Sequence, residues 1–332
     1  MTKKSLYTAI LLSSIFGGTV FANITVFAQT QEVPAARDVA AEPFDDIGPG
    51  DTNYAAIKYL KDNNLASGYE DGTFRPLQEI NRAEALKMLS MAIPGPKTTN
   101  PATFSFADVK NSDWFYPYLL DAWNNYLVTG YPDGLFHPEQ TINVAESLKI
   151  ALKQEGKTIP PAPDSKPYSD VPTDAWYAPY ASAAKERTLI LESRSEGALL
   201  PSKNMNRGSF AELLYRLTMS SKGSKFARAT WYADSLAQMS TANRELYIPT
   251  NLTAAHKTLP FNTKLLVTNL ANGKSVEVRI NDRGPYPTGV DLDLSRSAFE
   301  AIASAGAGII NVEFKEITDG QATNPDTINY GF

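Results

Sequence analysis

Three carboxylic acids and a histidine in the last third of the chain stand where acid–base chemistry could be done. They are Glu245 in Asn243-Arg244-Glu245, His256 in Ala254-Ala255-His256, Asp282 in Asn281-Asp282-Arg283-Gly284-Pro285, and Asp293 in Asp291-Leu292-Asp293-Leu294-Ser295. The chemistry open to such a set is protonation of a leaving oxygen followed by proton abstraction. One carboxyl can do both if its pKa is raised toward the working pH. Burial or a neighbouring negative charge raises it, and Asp282, Asp293 and Glu245 could supply such repulsion to one another. Asp282 is the expected acid/base, because a Gly-Pro turn holds its carboxyl rigidly. Plainer readings exist for three of them. Asp282 and Arg283 can pair in a structural corner, Asp293 can sit near a helix N-terminus, and His256 can be a hydrogen-bonded structural residue. With no cysteine and two distant histidines, His137 and His256, no ligand-spaced metal motif is present, and neither metal nor cofactor is expected.

The elements that must hold these residues are strands. Lys264–Asn269 and 275–280 alternate apolar and polar residues around Asn272-Gly273, a strong hairpin signal. Val276, Val278 and Ile280 face one way, and Ser275, Glu277 and Arg279 the other. A helix capped by Ser295 is expected to run to about 304, with Gly306 near its end, followed by a strand over 309–317. A small closed β-barrel of about 90 residues fits this pattern.

Ahead of it the chain repeats itself. Asp46, Asp108 and Asp170 stand 62 residues apart. Copy one runs Phe44-Asp45-Asp46-Ile47, Gly68-Tyr69-Glu70-Asp71-Gly72-Thr73-Phe74-Arg75-Pro76 and Ile80-Asn81-Arg82-Ala83-Glu84. Copy two repeats it as Phe106-Ala107-Asp108-Val109, Gly130-Tyr131-Pro132-Asp133-Gly134-Leu135-Phe136-His137-Pro138 and Ile142-Asn143-Val144-Ala145-Glu146. Copy three keeps Tyr168-Ser169-Asp170-Val171, Trp176-Tyr177 and Met205-Asn206-Arg207, while its middle has decayed to Glu192-Ser193-Arg194-Ser195-Glu196-Gly197. Each copy reads as helix, turn, helix. Asp-Gly supplies the turn, and Asn81 with Glu84 and Asn143 with Glu146 supply capping boxes.

These three linked motifs resemble the surface-layer homology (SLH) domain. The resemblance implies an all-α, three-repeat helical prism over 44–220, with copies at 44–100, 104–160 and 166–220. Its grooves would grip secondary cell-wall polysaccharide, and Arg82, Arg207, Asp46, Gly68 and Gly130 are carried over as polymer-binding positions. An Arg fork suits a sugar carboxylate. Val144 lacks it, which leaves the second groove in doubt. For Arg82 the plain alternative is an exposed cation in a first helical turn, and for Gly68 and Gly130 it is turn geometry.

Residues 226–317 are similar to the rare lipoprotein A family of septal lytic transglycosylases. The similarity rests on Ala229-Thr230-Trp231-Tyr232, Leu252-Thr253-Ala254-Ala255-His256, Ile280-Asn281-Asp282-Arg283-Gly284-Pro285-Tyr286 and Asp291-Leu292-Asp293-Leu294-Ser295. It implies an all-β, six-stranded double-psi β-barrel, so the whole chain is multidomain. Glu245, His256, Asp282 and Asp293 fall on catalytic positions, and Trp231, Tyr232, Asn281, Arg283 and Tyr286 on substrate-binding ones. The implied activity is endolytic cleavage of MurNAc–GlcNAc bonds in peptidoglycan strands with a 1,6-anhydro product. Ala237-Gln238-Met239 and Arg244 depart from the family, which has His-Gly-Arg and Gly there. The rival readings are a non-catalytic glycan-binding or wall-loosening module and a purely structural envelope protein.

The first residues complete the expectation. Met1-Thr2-Lys3-Lys4 precedes an uncharged apolar run from Leu6 to Phe27, which reads as a signal peptide over 1–28 with a linker over 29–43. The product would be secreted to the cell wall with no stable membrane insertion after cleavage, and 318–332 forms a tail. The formal net charge of −5, with Lys and Arg scattered, gives no footprint for nucleic acid. Sixteen Tyr, fifteen Phe and four Trp supply flat faces suited to sugar rings.

Overall fold

The computed structural model describes residues 42–95, 104–190, 197–287, 289–318 and 327–328. The expected signal peptide lies outside them. Among the described residues no helix is long and apolar enough to cross a membrane.

Among the described residues each copy forms a pair of helices. These are α1 Tyr54–Asp62 and α2 Arg82–Ala92, α3 Tyr116–Asn124 and α4 Val144–Gln154, and α5 Ala178–Glu186 and α6 Arg207–Ser221. Asn81 and Asn143 start α2 and α4 through complete capping boxes with Glu84 and Glu146. Copy three retains only half of the device. Asn206 accepts from the Ser209 amide, and Ser209 has no carboxylate to reach back.

The 62-residue period of aspartates has a backbone cause. Asp46 accepts from the Phe74 and Arg75 amides, each at 2.7 Å. Asp108 does the same for Phe136 and His137, and Asp170 for Leu199 and Leu200. The second residue held each time is left-handed, with φ of 58°, 55° and 56° for Arg75, His137 and Leu200. Two charge-assisted hydrogen bonds hold a conformation that a side chain resists. The staple therefore survives in copy three, where the turn's own sequence does not.

Gly68 and Gly130 answer to packing. A Cβ on Gly130 would lie 2.3 Å from the Phe106 ring, and one on Gly68 would lie 2.5 Å from the Thr73 carbonyl oxygen. Gly130→Ala is expected to cost about 1–3 kcal/mol, read as a lowered midpoint in urea unfolding. An unchanged midpoint would show that Phe106 gives way freely.

A closed ring of backbone hydrogen bonds joins the copies. The Ile80 amide donates to the Met205 carbonyl at 2.9 Å, Met205 to Ile142 at 2.9 Å, and Ile142 to Ile80 at 3.1 Å. All three side chains are buried in one apolar cluster that draws on all three copies.

Three residues after α6, the chain enters β1 Lys225–Trp231. It continues through β2 Thr253–His256, β3 Lys264–Asn269, β4 Ser275–Asp282, β5 Leu292–Leu294, α7 Arg296–Ile302 and β6 Ile310–Ile317. Six strands run in the order β2-β5-β1-β6-β3-β4, and β2 pairs back onto β4 to close the barrel. A two-residue strand, β7 Thr327–Ile328, lies parallel to β4 within the segment expected to be a tail. Alternating residues such as Val276, Val278, Ile280, Leu292 and Leu294 fill the interior, and Phe299 and Ile302 of α7 pack against them. The helix stops short of the expected 304. Ser295 precedes it without a side-chain cap, because its Oγ accepts from the Thr253 amide at 3.3 Å.

Candidate active site

Asp282 and Asp293 meet on one face through a break in strand alternation. Along β4, Val276, Val278 and Ile280 point inward, and regular pleating would send Asp282 inward as well. Between β2 and β4 the register shifts. Ala254 is opposite Ile280, but the next residue, Ala255, is opposite Asp282. This bulge skips Asn281 and turns the Asp282 side chain to the other face. On the opposite flank of β2, Ala255 is also paired with Asp293. The two aspartates thus stand either side of Ala255, their Cα atoms roughly 10 Å apart at ordinary strand spacing.

Their environments differ. Three donors converge on Asp282. The Tyr232 hydroxyl donates to Oδ2 at 2.7 Å, and the amides of Ala242 and Arg283 donate to Oδ1 at 2.8 and 2.7 Å. That carboxyl is arranged as an acceptor. Asp293 is the reverse, since its Oδ1 is buried with no hydrogen-bond partner among the described residues. Burial first, and the Asp282 charge second, push its pKa up to about 7. The Tyr232 hydroxyl is raised too, by burial and by its bond to Asp282.

The remaining expected residues divide. Glu245 is exposed and forms a bidentate pair with Arg279 at 2.9 and 2.7 Å, with Asn281 Nδ2 at 3.3 Å. The Arg279 guanidinium holds its pKa down to about 2, so Glu245 takes no part in the mutual repulsion expected from the sequence. The Asn281 backbone carbonyl accepts from the Asn243 amide, which ties the 241–245 turn to the site. Arg244, where the resemblance calls for Gly, is left-handed at φ 74°. His256 is paired with Leu292, an interior residue, so it lies on the face opposite the aspartates. Its Nδ1 accepts from the Thr258 and Leu259 amides at 3.2 and 3.1 Å, and burial lowers its pKa. Trp231 likewise faces away, with its indole N–H on the Ala305 carbonyl oxygen at 3.3 Å. Asp282 takes the Arg283 amide rather than its guanidinium, which stacks 3.8 Å from the Phe261 ring centre. Tyr286 is 83% exposed beside this turn.

The repeat unit carries two matched grooves, each drawing residues from all three copies. Arg82 passes under the copy-two turn, donating to the carbonyls of Phe136 at 3.0 Å and Thr129 at 3.4 Å. Arg207 does the same to Phe74 at 3.0 Å and Ser67 at 3.5 Å in copy one. Arg82 is 8% exposed, so it is not the exposed cation of the plain reading, and burial lowers its pKa. Gly130 lines the first groove and Gly68 the second, whereas the Asp46 carboxylate is taken up by the turn amides. Tyr131, Glu146, Lys149 and Trp176 complete one groove, of about 250 Å³. Tyr69, Glu84, Lys87 and Trp114 complete the other, of about 370 Å³. Lys149 lies over the Trp176 ring at 5.6 Å and Lys87 over Trp114 at 5.7 Å, with both indoles about half exposed. Sequence reasoning had passed over Trp114, Lys87 and Lys149. Their signal was recurrence at the same 62-residue spacing.

Residues 225–314 match the family described as lytic transglycolase, and residues 43–86, 105–146 and 167–211 match the S-layer homology domain. The endolytic peptidoglycan transglycosylase RlpA of Vibrio cholerae is 42% identical over 112 residues, covering 33% of this chain and 43% of that protein. A probable endolytic peptidoglycan transglycosylase RlpA of Synechocystis sp. is 51% identical over 84 residues, 25% of this chain and 26% of that protein. Among solved structures, apo expansin of Clavibacter michiganensis shares 25% identity at a TM-score of 0.23, covering 30% of this chain and 52% of that chain. The chain spans less than half the length of these curated relatives. On the two family matches, the RlpA relatives and the closed barrel, the chain carries three S-layer homology repeats followed by an RlpA-like lytic transglycolase domain.

Proposed function

We propose that the chain is a secreted, wall-tethered endolytic peptidoglycan lytic transglycosylase in which Asp293 is the proton donor and Asp282 its charged partner. The observation that carries this reading is the buried Asp293 Oδ1, without a partner among the described residues, set across β2 from a carboxyl that accepts from three donors. Asp293 gives its proton to the GlcNAc O4 as the bond from MurNAc C1 breaks. Asp282 faces the positive charge that develops at C1. The muramyl C6 hydroxyl then attacks C1, closing the 1,6-anhydro ring, and its proton passes to the Asp293 carboxylate, which restores the starting state. Tyr232 fixes Asp282, and exposed Tyr286 offers a stacking face for a neighbouring sugar. The test is mass spectrometry of sacculi digested with the full chain. Anhydromuramyl ends are expected, and their absence from stem-free strands as well would leave a glycan-binding module.

Glu245 serves as a positioning residue through Arg279. Glu245→Gln is expected to raise KM about tenfold with a smaller change in kcat, since one charge-assisted bond is worth roughly 1.5 kcal/mol. A kcat loss as deep as that of an aspartate variant would place Glu245 among the reacting groups.

The repeats supply the tether. The three-sided helical prism implied by the SLH resemblance accords with the closed hydrogen-bond ring. Each matched groove sets a lysine and a half-exposed indole beside a buried guanidinium, which suits an acidic sugar: the ring stacks and the cations meet its carboxylate. Secondary cell-wall polysaccharide is the polymer of that chemistry.

A further inference from the structure

The third face of the repeat unit differs from the other two at four groove positions. The two matched grooves share an Arg, a Glu, a Lys and a Trp. The corresponding residues on the third face are Val144, Ser209, Glu212 and Thr52. The cation has become apolar, the lysine has become an acid, and the indole platform is gone. This face looks toward the barrel, which the other two do not. Arg228, Ile309 and Asn311 of the barrel, with the 269–271 turn, form one wall of a cleft of about 700 Å³ beside it.

The substituted positions have other work. Glu212 accepts from Arg216 Nε at 2.7 Å, and the fully buried Arg216 donates to the Thr188 carbonyl at 2.9 Å. Its guanidinium lies 4.4 Å from the ring centre of Phe226 in β1. Around this pair the barrel is bonded to the repeats by main chain. The Gly50 amide donates to the Ala271 carbonyl at 2.6 Å and the Ala55 amide to the Leu270 carbonyl at 3.1 Å. The Tyr215 hydroxyl donates to Glu313 of β6. Ala56, Tyr215, Phe226 and Leu270 form an apolar cluster of their own across the seam. Only residues 222–224 connect the two parts. In the six-strand ring β6 stands opposite β2, so the strand flanked by the two aspartates is on the far side from the seat.

We propose that the third face has exchanged polymer binding for holding the barrel, so that the chain grips the wall at two grooves and carries its carboxyl-bearing face in one fixed orientation away from the repeats. The two-groove half rests on the polymer reading given above, and the seating of the barrel does not.

Two experiments on the full chain separate these halves. For the seat, ten Gly/Ser residues inserted after Gly223 are combined with Leu270→Asp, which puts a charge into the seam. Wild type is expected to unfold in one calorimetric transition with slow hydrogen exchange at the Gly50 and Ala55 amides. The variant should show two transitions and lose that protection, with turnover of soluble glycan strands unchanged. A milder version, the same insertion with Tyr215→Phe, covers the case in which Leu270→Asp unfolds the barrel. A single transition with protection retained in both variants would overturn the seat. For the grooves, the probe is protein-stripped wall from the bacterium that encodes the chain, with retention scored in excess soluble peptidoglycan strands so that the barrel's own hold on the wall is competed away. Trp114→Ala and Trp176→Ala should each lower retention about tenfold, and the pair should abolish it. Retention by the double variant would reveal a working third groove and overturn the exchange. Failure of wild type to bind the wall would remove the polymer reading and the two-groove half together, while calorimetry would still decide the seat.

Discussion

Asp293→Asn should eliminate anhydromuramyl products and, at neutral pH, make the barrel more stable than wild type. The loss of turnover is expected at roughly 10²–10⁴-fold, the usual contribution of a positioned acid. The gain in stability follows from the same burial. The folded chain holds a proton on Asp293 up to about pH 7, whereas an unfolded aspartate releases it near 3.9. With the folded pKa the higher one, this group's contribution is most favourable below about pH 4. It is lost progressively as pH rises to about 7 and stays lost above that. Three pKa units correspond to about 4 kcal/mol as a ceiling, and screening at a partly exposed group reduces this to the order of 1–3 kcal/mol. Asparagine does not titrate. The two proteins should therefore unfold alike near pH 4 and diverge by several degrees at pH 7.5. Turnover of wild type should fall as pH climbs through about 7, where the donor loses its proton. Full turnover by Asp293→Asn, or a stability difference independent of pH, would remove Asp293 from the role of acid.

Asp282→Asn should be nearly as damaging, with a different pH signature. An amide can keep much of the packing. Its oxygen still accepts from the Ala242 and Arg283 amides, and its NH₂ turns the Tyr232 hydroxyl into an acceptor. Folding should change little, while turnover should drop roughly 100-fold because no anion faces the developing charge at C1. Removing that charge also takes away the second cause of the raised Asp293 pKa. The falling limb of the pH–turnover curve should consequently move below 7 in Asp282→Asn, while burial keeps it above the ordinary carboxylate range. In Asp293→Asn no such limb should remain. A limb that stays at 7 in Asp282→Asn would mean the two carboxyls do not sense one another.

Local chemistry in the sequence was readable where it acts over a few residues. Capping boxes at Asn81 and Asn143, the Asn272-Gly273 hairpin and the alternation along Val276, Val278 and Ile280 all reappear in the fold. The site was readable only in part, since its geometry depends on pairings between distant strands. Alternation alone turns Asp282 into the core, and only the bulge against Ala254 and Ala255 brings it beside Asp293. His256 is one residue beyond Ala255 and so falls on the opposite face, although its motif lies close in sequence. The favoured acid shifts from Asp282 to Asp293 for a similar reason. Turn rigidity was visible in Gly284-Pro285, whereas burial without a donor is a property of neighbours. Arg82 illustrates the same limit, being at the start of α2 in its own copy but among the carbonyls of the next.

The ring formed by Ile80, Met205 and Ile142 also bears on how many copies such a chain can have. Stacked helical repeats leave a free edge at each end, so a copy can be added or dropped at small cost to its neighbours. Here each copy both donates to one neighbour and accepts from the other. Deleting any one breaks two of the three bonds and bares buried apolar side chains, and a fourth has no open edge to join. Gene duplication is thereby held to three, and the third copy is needed twice over, since it closes the ring and supplies Arg207 and Trp176 to the two matched grooves.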